Sequence, residues 1–327
     1  MSKKNVAIIA GGDSGEYEVS INSANVVYKH LNKDKFNPYL IILEGENWYY
    51  LDENSDRIDV NKSDFSLTIE KNKINFEVVF NVIHGTPGEN GIIQGYLDLL
   101  RLPYTSCDLP TSALTFNKAF CNGVVRSLGT QVADSIRLPV GQPYDIKQIG
   151  DELNFPVFVK PVSGGSSVAT SKVNEPSELK AAIDLAFTED NEILIEQFIS
   201  GREIDCGVFK YKGQMLVFPI TEIISKKEFF DYEAKYTVGM ADEITPAQIP
   251  LEVEVECKAL SSELYQKLNC KGVVRFDYIF NEEGIFFLEV NTIPGFSETS
   301  IVPQQAEEMG ISMEQLFGMM IDNALTN

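Results

Sequence analysis

Through the first third of the chain, short apolar runs alternate with stretches of helical periodicity. Asn5 to Ala10 reads as a buried strand, and Gly11-Gly12-Asp13-Ser14-Gly15 as the turn that ends it. A helix is predicted from about Val19 to Leu31, then a strand from Pro38 to Leu43. Another strand, Val78 to Ile83, ends at His84-Gly85, and Gly91 to Leu100 returns to the helical period. This strand–helix rhythm predicts a parallel sheet covered by helices, with function at the carboxyl ends of its strands.

From about Pro103 the pattern changes. Ser112 to Leu128 has helical periodicity with Lys118 inside it, and short strands follow at Phe155 to Pro161, Val168 to Val173 and Glu192 to Phe198. Ser177 to Phe187 reads as a helix whose opening Ser resembles an N-cap. After Ser200-Gly201 the chain is strand-rich to Ile224, and the polar residues from Ser225 to Gln248 predict a long loop over a site. Glu252 to Leu268 is helical, a hairpin comes next, and a helix from about Met313 closes the chain. The expected divisions are residues 1–103, 104–198 and 199–327, an α/β unit followed by two α+β units.

The hairpin from Arg275 to Asn291 repays a register argument. A three-residue loop, Glu282-Glu283-Gly284, pairs Asn281 with Ile285 and so sets Asp277 opposite Glu289 and Arg275 opposite Asn291. All four then share one face, and Phe276, Tyr278, Phe280, Phe286, Leu288 and Val290 form the other. Facing carboxylates repel unless a cation or proton lies between them. An Asp, a Glu and an Asn amide oxygen make the hard oxygen set that Mg²⁺ prefers. The plain alternative is a solvated face of an edge hairpin. Arg275 is either a salt-bridge partner of the acids or a group that stabilises negative charge on a reacting carboxylate.

Composition narrows the class. With 327 residues the chain is too long for one ordinary core. Its 44% apolar and 23% charged residues are ordinary globular values, so no large disordered fraction is expected. Against 48 acidic side chains stand 27 basic ones, a net charge of -21 that repels phosphate backbones and anionic lipid. Nucleic acid and membrane are therefore not expected partners, and any anionic ligand must find its positive charge locally. The five-residue apolar run before Gly11 is too short for a secretory signal, and no stretch reaches transmembrane length. Five cysteines without a C-x-x-C pair argue for idle thiols in a reducing, cytoplasmic compartment, and two histidines exclude a histidine-rich metal site.

No Walker-type phosphate loop occurs, and Gly11-Gly12 lacks the rest of a dinucleotide fingerprint. Instead Lys160-Pro161 is followed by Ser163-Gly164-Gly165-Ser166-Ser167 between two strands. That is either a flap whose N–H groups, hydroxyls and lysine hold phosphates, or an ordinary Gly-rich hairpin. His84 stands where a strand meets a helix N-terminus, a position more often structural than catalytic. Glu16 and Glu18 precede a helix, where negative charge is favourable in any case.

In this order and spacing, the motifs resemble those of D-alanine–D-alanine ligases of the ATP-grasp superfamily. The resemblance runs from Gly11-Gly12 and Glu16-Tyr17-Glu18-Val19-Ser20 to Asn291-Thr292-Ile293-Pro294-Gly295. Between them lie His84-Gly85, Gln94-Gly95, Lys160-Pro161, Gly165-Ser166-Ser167-Val168, Tyr232 to Tyr236, Pro246-Ala247 and Arg275-Phe276-Asp277. It implies a Rossmann-like N-terminal domain followed by a two-part ATP-grasp fold. It further implies a cytoplasmic, homodimeric enzyme of peptidoglycan precursor synthesis that binds ATP, D-alanine and Mg²⁺ or Mn²⁺, with two ions expected.

By the same resemblance Lys118, Lys160, Ser167 and Lys235 belong to the nucleotide site. Glu196, with the backbone of Gln197, Phe198 and Ile199, is implied to hold adenine, and Glu203 the ribose hydroxyls. Asp277, Glu289 and Asn291 match the metal ligands. Glu16 matches the carboxylate that receives the first D-alanine's ammonium, linked to Ser166 and Tyr236 by hydrogen bonds. Arg275 and the Gly295 N–H match the oxyanion site, and Ser300 a contact to the second substrate's carboxylate.

Three positions depart from the family pattern. Asn90 replaces Asp but keeps its capping capacity. Ala169 replaces Gly and narrows the flap's conformational range, and Glu298 stands between Gly295 and Ser300. The competing readings are the same fold with D-lactate or D-serine as acceptor, a nucleotide-binding homologue that has lost catalysis, and a non-enzymatic dinucleotide-binding module.

Overall fold

The computed structural model describes residues 3–52, 54–225 and 241–326. Its first unit is a five-stranded sheet in which Lys4–Gly11 (β1) is an interior strand, next to one edge. Parallel to β1 on either side run Phe36–Glu44 (β2) and Val78–Asn81 (β7). The strands Asn47–Leu51 (β3) and Arg57–Asp59 (β4) extend the sheet antiparallel beyond β2. A small ribbon, Leu67–Ile69 (β5) with Asn72–Ile74 (β6), forms a separate two-stranded sheet packed against this one. Helices Tyr17–His30 (α1) and Ile92–Leu100 (α2) follow β1 and β7. Val6 to Ala10 are fully buried because both sheet faces are covered, which explains their unbroken apolar run.

The predicted single helix over Ser112 to Leu128 is two helices, Leu109–Phe116 (α3) and Lys118–Ser127 (α4). Asn117 breaks the run: its backbone is extended, and its side chain caps the second helix by accepting from the Phe120 N–H. Lys118 therefore opens a helix rather than lying inside one. Gln131–Val132 (β8) then joins the last large sheet, parallel to its hairpin.

A four-stranded sheet comprises Ser135–Pro139 (β9), Val157–Pro161 (β10), Ser171–Val173 (β11) and Glu192–Gln197 (β12). It packs on Ile146–Leu153 (α5) and Pro176–Ala186 (α6). Two expectations change here. The second helix begins at Pro176, whose fixed φ suits the first helical position, so Ser177 lies inside it and bonds Glu175 rather than capping. And β11 is short, because the residues before it adopt left-handed backbone.

The third sheet contains Arg202–Tyr211 (β13), Gln214–Val217 (β14), Thr221–Ser225 (β15), Ala241–Ile244 (β16), Val273–Asn281 (β17) and Gly284–Asn291 (β18). Part of the expected 225–248 loop is thus a strand, β16, paired with β15. Residues 226–240, including Lys235 and Tyr236, lie outside the described residues. Leu251–Lys267 (α7) packs on β13, and Ile301–Glu308 (α8), which periodicity did not reveal, precedes Met313–Ala324 (α9).

The hairpin β17–β18 corrects the loop reading. Asn281 pairs with Gly284 across a two-residue turn, and a β-bulge on β18 at Leu288 then shifts the register by one. Beyond the bulge Asp277 pairs with Glu289 and Arg275 with Asn291, so the chemistry-bearing pairs stand opposite each other. The apolar face differs from the prediction: Ile285 and Phe287 join Phe276, Tyr278, Phe280 and Val290 in the core, and Leu288 lines a cleft.

Candidate functional site

A cleft of about 1000 Å³ opens where the three sheets meet. One wall is the turn after β1. Gly11 and Gly12 have φ of +95° and +97°, and a Cβ on Gly12 would sit 2.6 Å from Ile83 Cγ2, so only glycine lets the strand turn this sharply. The turn is pinned by Asp13 N donating to Thr86 O at 2.8 Å and Ser14 Oγ donating to His84 O at 2.8 Å. It delivers Glu16 to the N-cap position of α1, facing the cleft.

Against Glu16 lies the loop after β10. Ser166 Oγ donates to Glu16 Oε1, and Gly165 packs so closely that a Cβ would meet Glu16 Oε2 at 2.4 Å. Ser166, Ser167 and Ala169 all hold left-handed φ, at +50°, +57° and +51°. For non-glycine residues that backbone costs about 1 kcal/mol each, so the glycine expected at Ala169 is replaced where it would be least strained.

Two lysines supply local positive charge in an acidic protein. Lys118 donates to Gly164 O at 2.6 Å and stands 3.5 Å from Glu289. Lys160 forms an ion pair with buried Glu196, which also accepts from Asn122 Nδ2 at 2.9 Å. The cleft also has apolar lining, from Phe158, Phe198, Ile199, Ile223, Ile279 and Leu288. The Phe158 and Phe198 rings lie 5.8 Å apart, and Lys172 sits over Phe198 at 4.5 Å. A cleft that combines cations with flat apolar walls is shaped for a phosphorylated aromatic base.

Glu16, Ser166, Ser167, Lys118, Lys160, Phe198, Ile199, Glu203 and Glu289 thus line one cleft. Glu196, Gln197, Arg275, Asp277, Asn291, Gly295 and Ser300 lie outside that lining. Gln197 is tied by its N–H to Asp134 O at 2.8 Å. Arg275 holds Asp277 with two 2.7 Å bonds and approaches Asp205 at 3.2 Å, while Asn291 Nδ2 donates to Asp277 at 2.8 Å. Burial works against the Arg275 charge, yet Asp277 and Asp205 hold its guanidinium well above the ordinary value. Ser300 accepts from Ser297 N at 3.0 Å, and a Cβ on Gly295 would sit 2.8 Å from its hydroxyl.

No cluster of three or more His, Cys, Asp or Glu able to hold a metal exists among the described residues. The oxygen set from Asp277, Glu289 and Asn291 depends instead on two facing carboxylates and one amide, beside Lys118. That donor chemistry suits a hard divalent cation carrying phosphate oxygens and water.

Of the departures, Asn90 accepts from Ile92 N at 3.2 Å, so it does serve the start of α2. Glu298 accepts from Lys29 at 2.6 Å on the surface. The five cysteines are all buried and unpaired.

Pattern reading overlooked Glu89, whose surroundings no sequence motif displays. It accepts from Gly85 N at 2.8 Å and Ile293 N at 3.2 Å. Burial and the neighbouring charge of Glu16 push its carboxyl up to about 8, against the pull of those two N–H donors. The folded chain therefore holds this proton more tightly than the unfolded one. Its contribution to stability is fully present below about 4.5 and is lost as pH rises through about 8. In the ligand-free protein, urea midpoints measured across this range should fall with pH, and Glu89→Gln should flatten the decline. Equal slopes in the two proteins would contradict the assignment.

The family model described as the D-ala D-ala ligase N-terminus matches residues 5–107, and that of the C-terminus matches 136–322. A D-alanine--D-alanine ligase of Christiangramia forsetii is 47% identical, covering 99% of each chain. The crystal structure of the VanG D-Ala:D-Ser ligase from Enterococcus faecalis superposes with a TM-score of 0.88 at 34% identity, covering 99% of this chain and 100% of that one. A Bacillus anthracis D-alanine--D-alanine ligase complexed with ATP gives 0.80 at 28% identity, over 99% and 98% of the two chains.

Proposed function

The chain belongs to the D-alanine–D-alanine ligase family, with its ATP-grasp fold, and on that premise we propose how its cleft joins two D-alanines in an ATP-dependent ligation for peptidoglycan synthesis. The carrying observation is the convergence of Glu16, Lys118, Lys160 and Glu289 on one cleft that Phe158, Phe198 and Leu288 also line.

In this reading the adenine occupies the apolar part of the cleft, between Phe158, Phe198 and Leu288, with Glu196 behind it and Glu203 at the ribose. Lys118, Lys160 and the backbone of the Ser166–Ser167 loop hold the phosphates as point charges and N–H donors. Asp277, Glu289 and Asn291 would hold Mg²⁺ or Mn²⁺, two ions being our expectation; bound metal would neutralise charge gathering on the transferred phosphoryl group. Glu16 receives the first D-alanine's ammonium, and Ser166 and Tyr236 steady it.

A carboxylate is a poor electrophile, so its oxygen first attacks the γ-phosphorus of ATP, giving an acyl phosphate and ADP. The amine of the second D-alanine then attacks the acyl carbon. Arg275 and the Gly295 N–H face the developing oxyanion, Ser300 meets the incoming carboxylate, and phosphate leaves as the amide forms. Lys235 and the segment around it would close over the site, because water hydrolyses an acyl phosphate.

The test is phosphate release from Mg-ATP with a panel of D- and L-amino and hydroxy acids, products identified by mass and chirality. D-alanine alone should support turnover. Silence with every compound would falsify the ligase reading, and turnover only with D-serine or D-lactate as acceptor would reassign the acceptor.

Three finer points are also our reading. Residues 1–103, 104–198 and 199–327 form the functional divisions, each centred on one large sheet. The setting is cytoplasmic, in keeping with the buried free thiols; among the described residues no helix is long and apolar enough to cross a membrane. The assembly is a homodimer, supported by Ile92 and Leu99 on one face of α2, 62% and 86% exposed, with Leu109 of α3 nearby. Sedimentation should give twice the chain mass, and Leu99→Lys should shift it toward one; an unchanged dimer would exclude this face.

A further inference from the structure

Three side chains of the N-terminal unit reach across to one short segment after β18. His84 Nδ1 lies 2.9 Å from Ile293 O, and Glu89 Oε1 accepts from Ile293 N at 3.2 Å. Ser23 Oγ accepts from Phe296 N at 3.2 Å and lies 3.3 Å from His84 Nε2. Ser23 and His84 are buried, and the contacts to Ile293 and Phe296 span 204 to 273 residues of chain, so they are tertiary in origin.

The acceptors determine the protons. A carbonyl oxygen only accepts, so Nδ1 of His84 carries hydrogen. Burial lowers the His84 pKa, which favours the neutral ring and leaves Nε2 an acceptor. Ser23 must then donate to Nε2 while accepting from Phe296. The result is a directed chain: Phe296 N–H to Ser23, Ser23 O–H to His84, His84 N–H to Ile293 O, with the Ile293 N–H held by Glu89.

Between the two anchored residues lie only Pro294, whose φ is fixed by its ring, and Gly295. Anchoring both ends of so short a span leaves the Gly295 peptide little freedom. Ser23 also stands two turns along α1 from Glu16, on the same rigid helix.

We propose that Ser23, His84 and Glu89 are positioning residues, an interdomain latch that aims the Gly295 N–H at the reacting carbonyl and ties it, through α1, to the carboxylate that receives the first amino acid. This rests on the ligase reading. The latch acts on the second step, in which the amine captures the acyl phosphate. Its loss therefore uncouples the reaction: acyl phosphate still forms but is hydrolysed before capture.

The experiment measures phosphate released per dipeptide formed, with kcat and the KM for ATP, in Ser23→Ala, His84→Asn and His84→Gln. An Asn amide nitrogen can replace Nδ1 and keep the bond to Ile293 O, whereas a Gln amide reaches only toward the Nε2 position. Ser23→Ala and His84→Gln should lower dipeptide kcat about tenfold or more, roughly what one lost buried hydrogen bond implies. They should also raise the phosphate-to-dipeptide ratio above one while the KM for ATP stays within about twofold. His84→Asn should keep more activity and tighter coupling than His84→Gln. A ratio of one in all three, or better coupling in His84→Gln than in His84→Asn, overturns the latch. Should Ser23→Ala fail to fold, the two His84 variants decide. A wild-type protein that forms no dipeptide overturns the ligase reading, and the latch falls with it.

Discussion

Asp277→Asn should lower kcat by about 10²–10³-fold while changing nucleotide affinity by less than about fivefold. The substitution keeps the shape and an acceptor for Arg275 but removes one of the two facing negative charges. If Asp277 and Glu289 hold the cation that screens the transferred phosphoryl group, the lost charge matters most where negative charge accumulates, in the transition state. The apolar walls and the two lysines assigned to the nucleotide in the proposed function remain. D-alanine-dependent phosphate release and a direct nucleotide titration separate the two effects. A decline of less than tenfold in kcat, or an equal loss in binding, would sink the metal assignment.

Arg275→Met is expected to have the largest effect on stability as well as removing most activity. Arg275 neutralises Asp277 and Asp205, whose side chains are only 6% and 3% exposed. Removing it leaves two carboxylates close together in a site with little water, and breaking a buried pair in this way costs about 3–5 kcal/mol. Part of that loss should return at low pH, because protonating either acid removes the stranded charge. Denaturant midpoints of wild type and variant at neutral and acidic pH measure this directly. A loss below about 1 kcal/mol at neutral pH would mean that the pair is solvated and that Arg275 has little structural role.

Much of the site could be read in one dimension. The facing of Asp277 by Glu289 follows from strand alternation and turn chemistry, and Lys160 with its Gly/Ser loop from local composition. The route to the facing pair was nevertheless wrong in detail. A two-residue turn with a bulge at Leu288 yields the same pairing near the site as a three-residue turn does, because either adds one residue to the same strand. The difference appears only between them, where Phe287 goes into the core and Leu288 lines the cleft. Asn117 shows the same limit: helical periodicity runs through it, and only its cap geometry reveals two helices.

What the sequence determined by itself is what depends on short-range rules: the period of each element, the sharp glycine turn after β1, the alternation of β17, and the order of motifs that placed the chain in its family. Tertiary structure alone decided which distant groups meet and in what charge state. Glu89 is an ordinary acidic residue in the sequence; enclosed near Glu16 it becomes a carboxyl pushed up to about 8. Ser23, His84 and Ile293 lie far apart along the chain until folding joins them in one hydrogen-bonded series. The physical reason is common to both cases. Desolvation and hydrogen-bond geometry depend on distances of a few ångströms between residues far apart along the chain, and no local pattern encodes those distances.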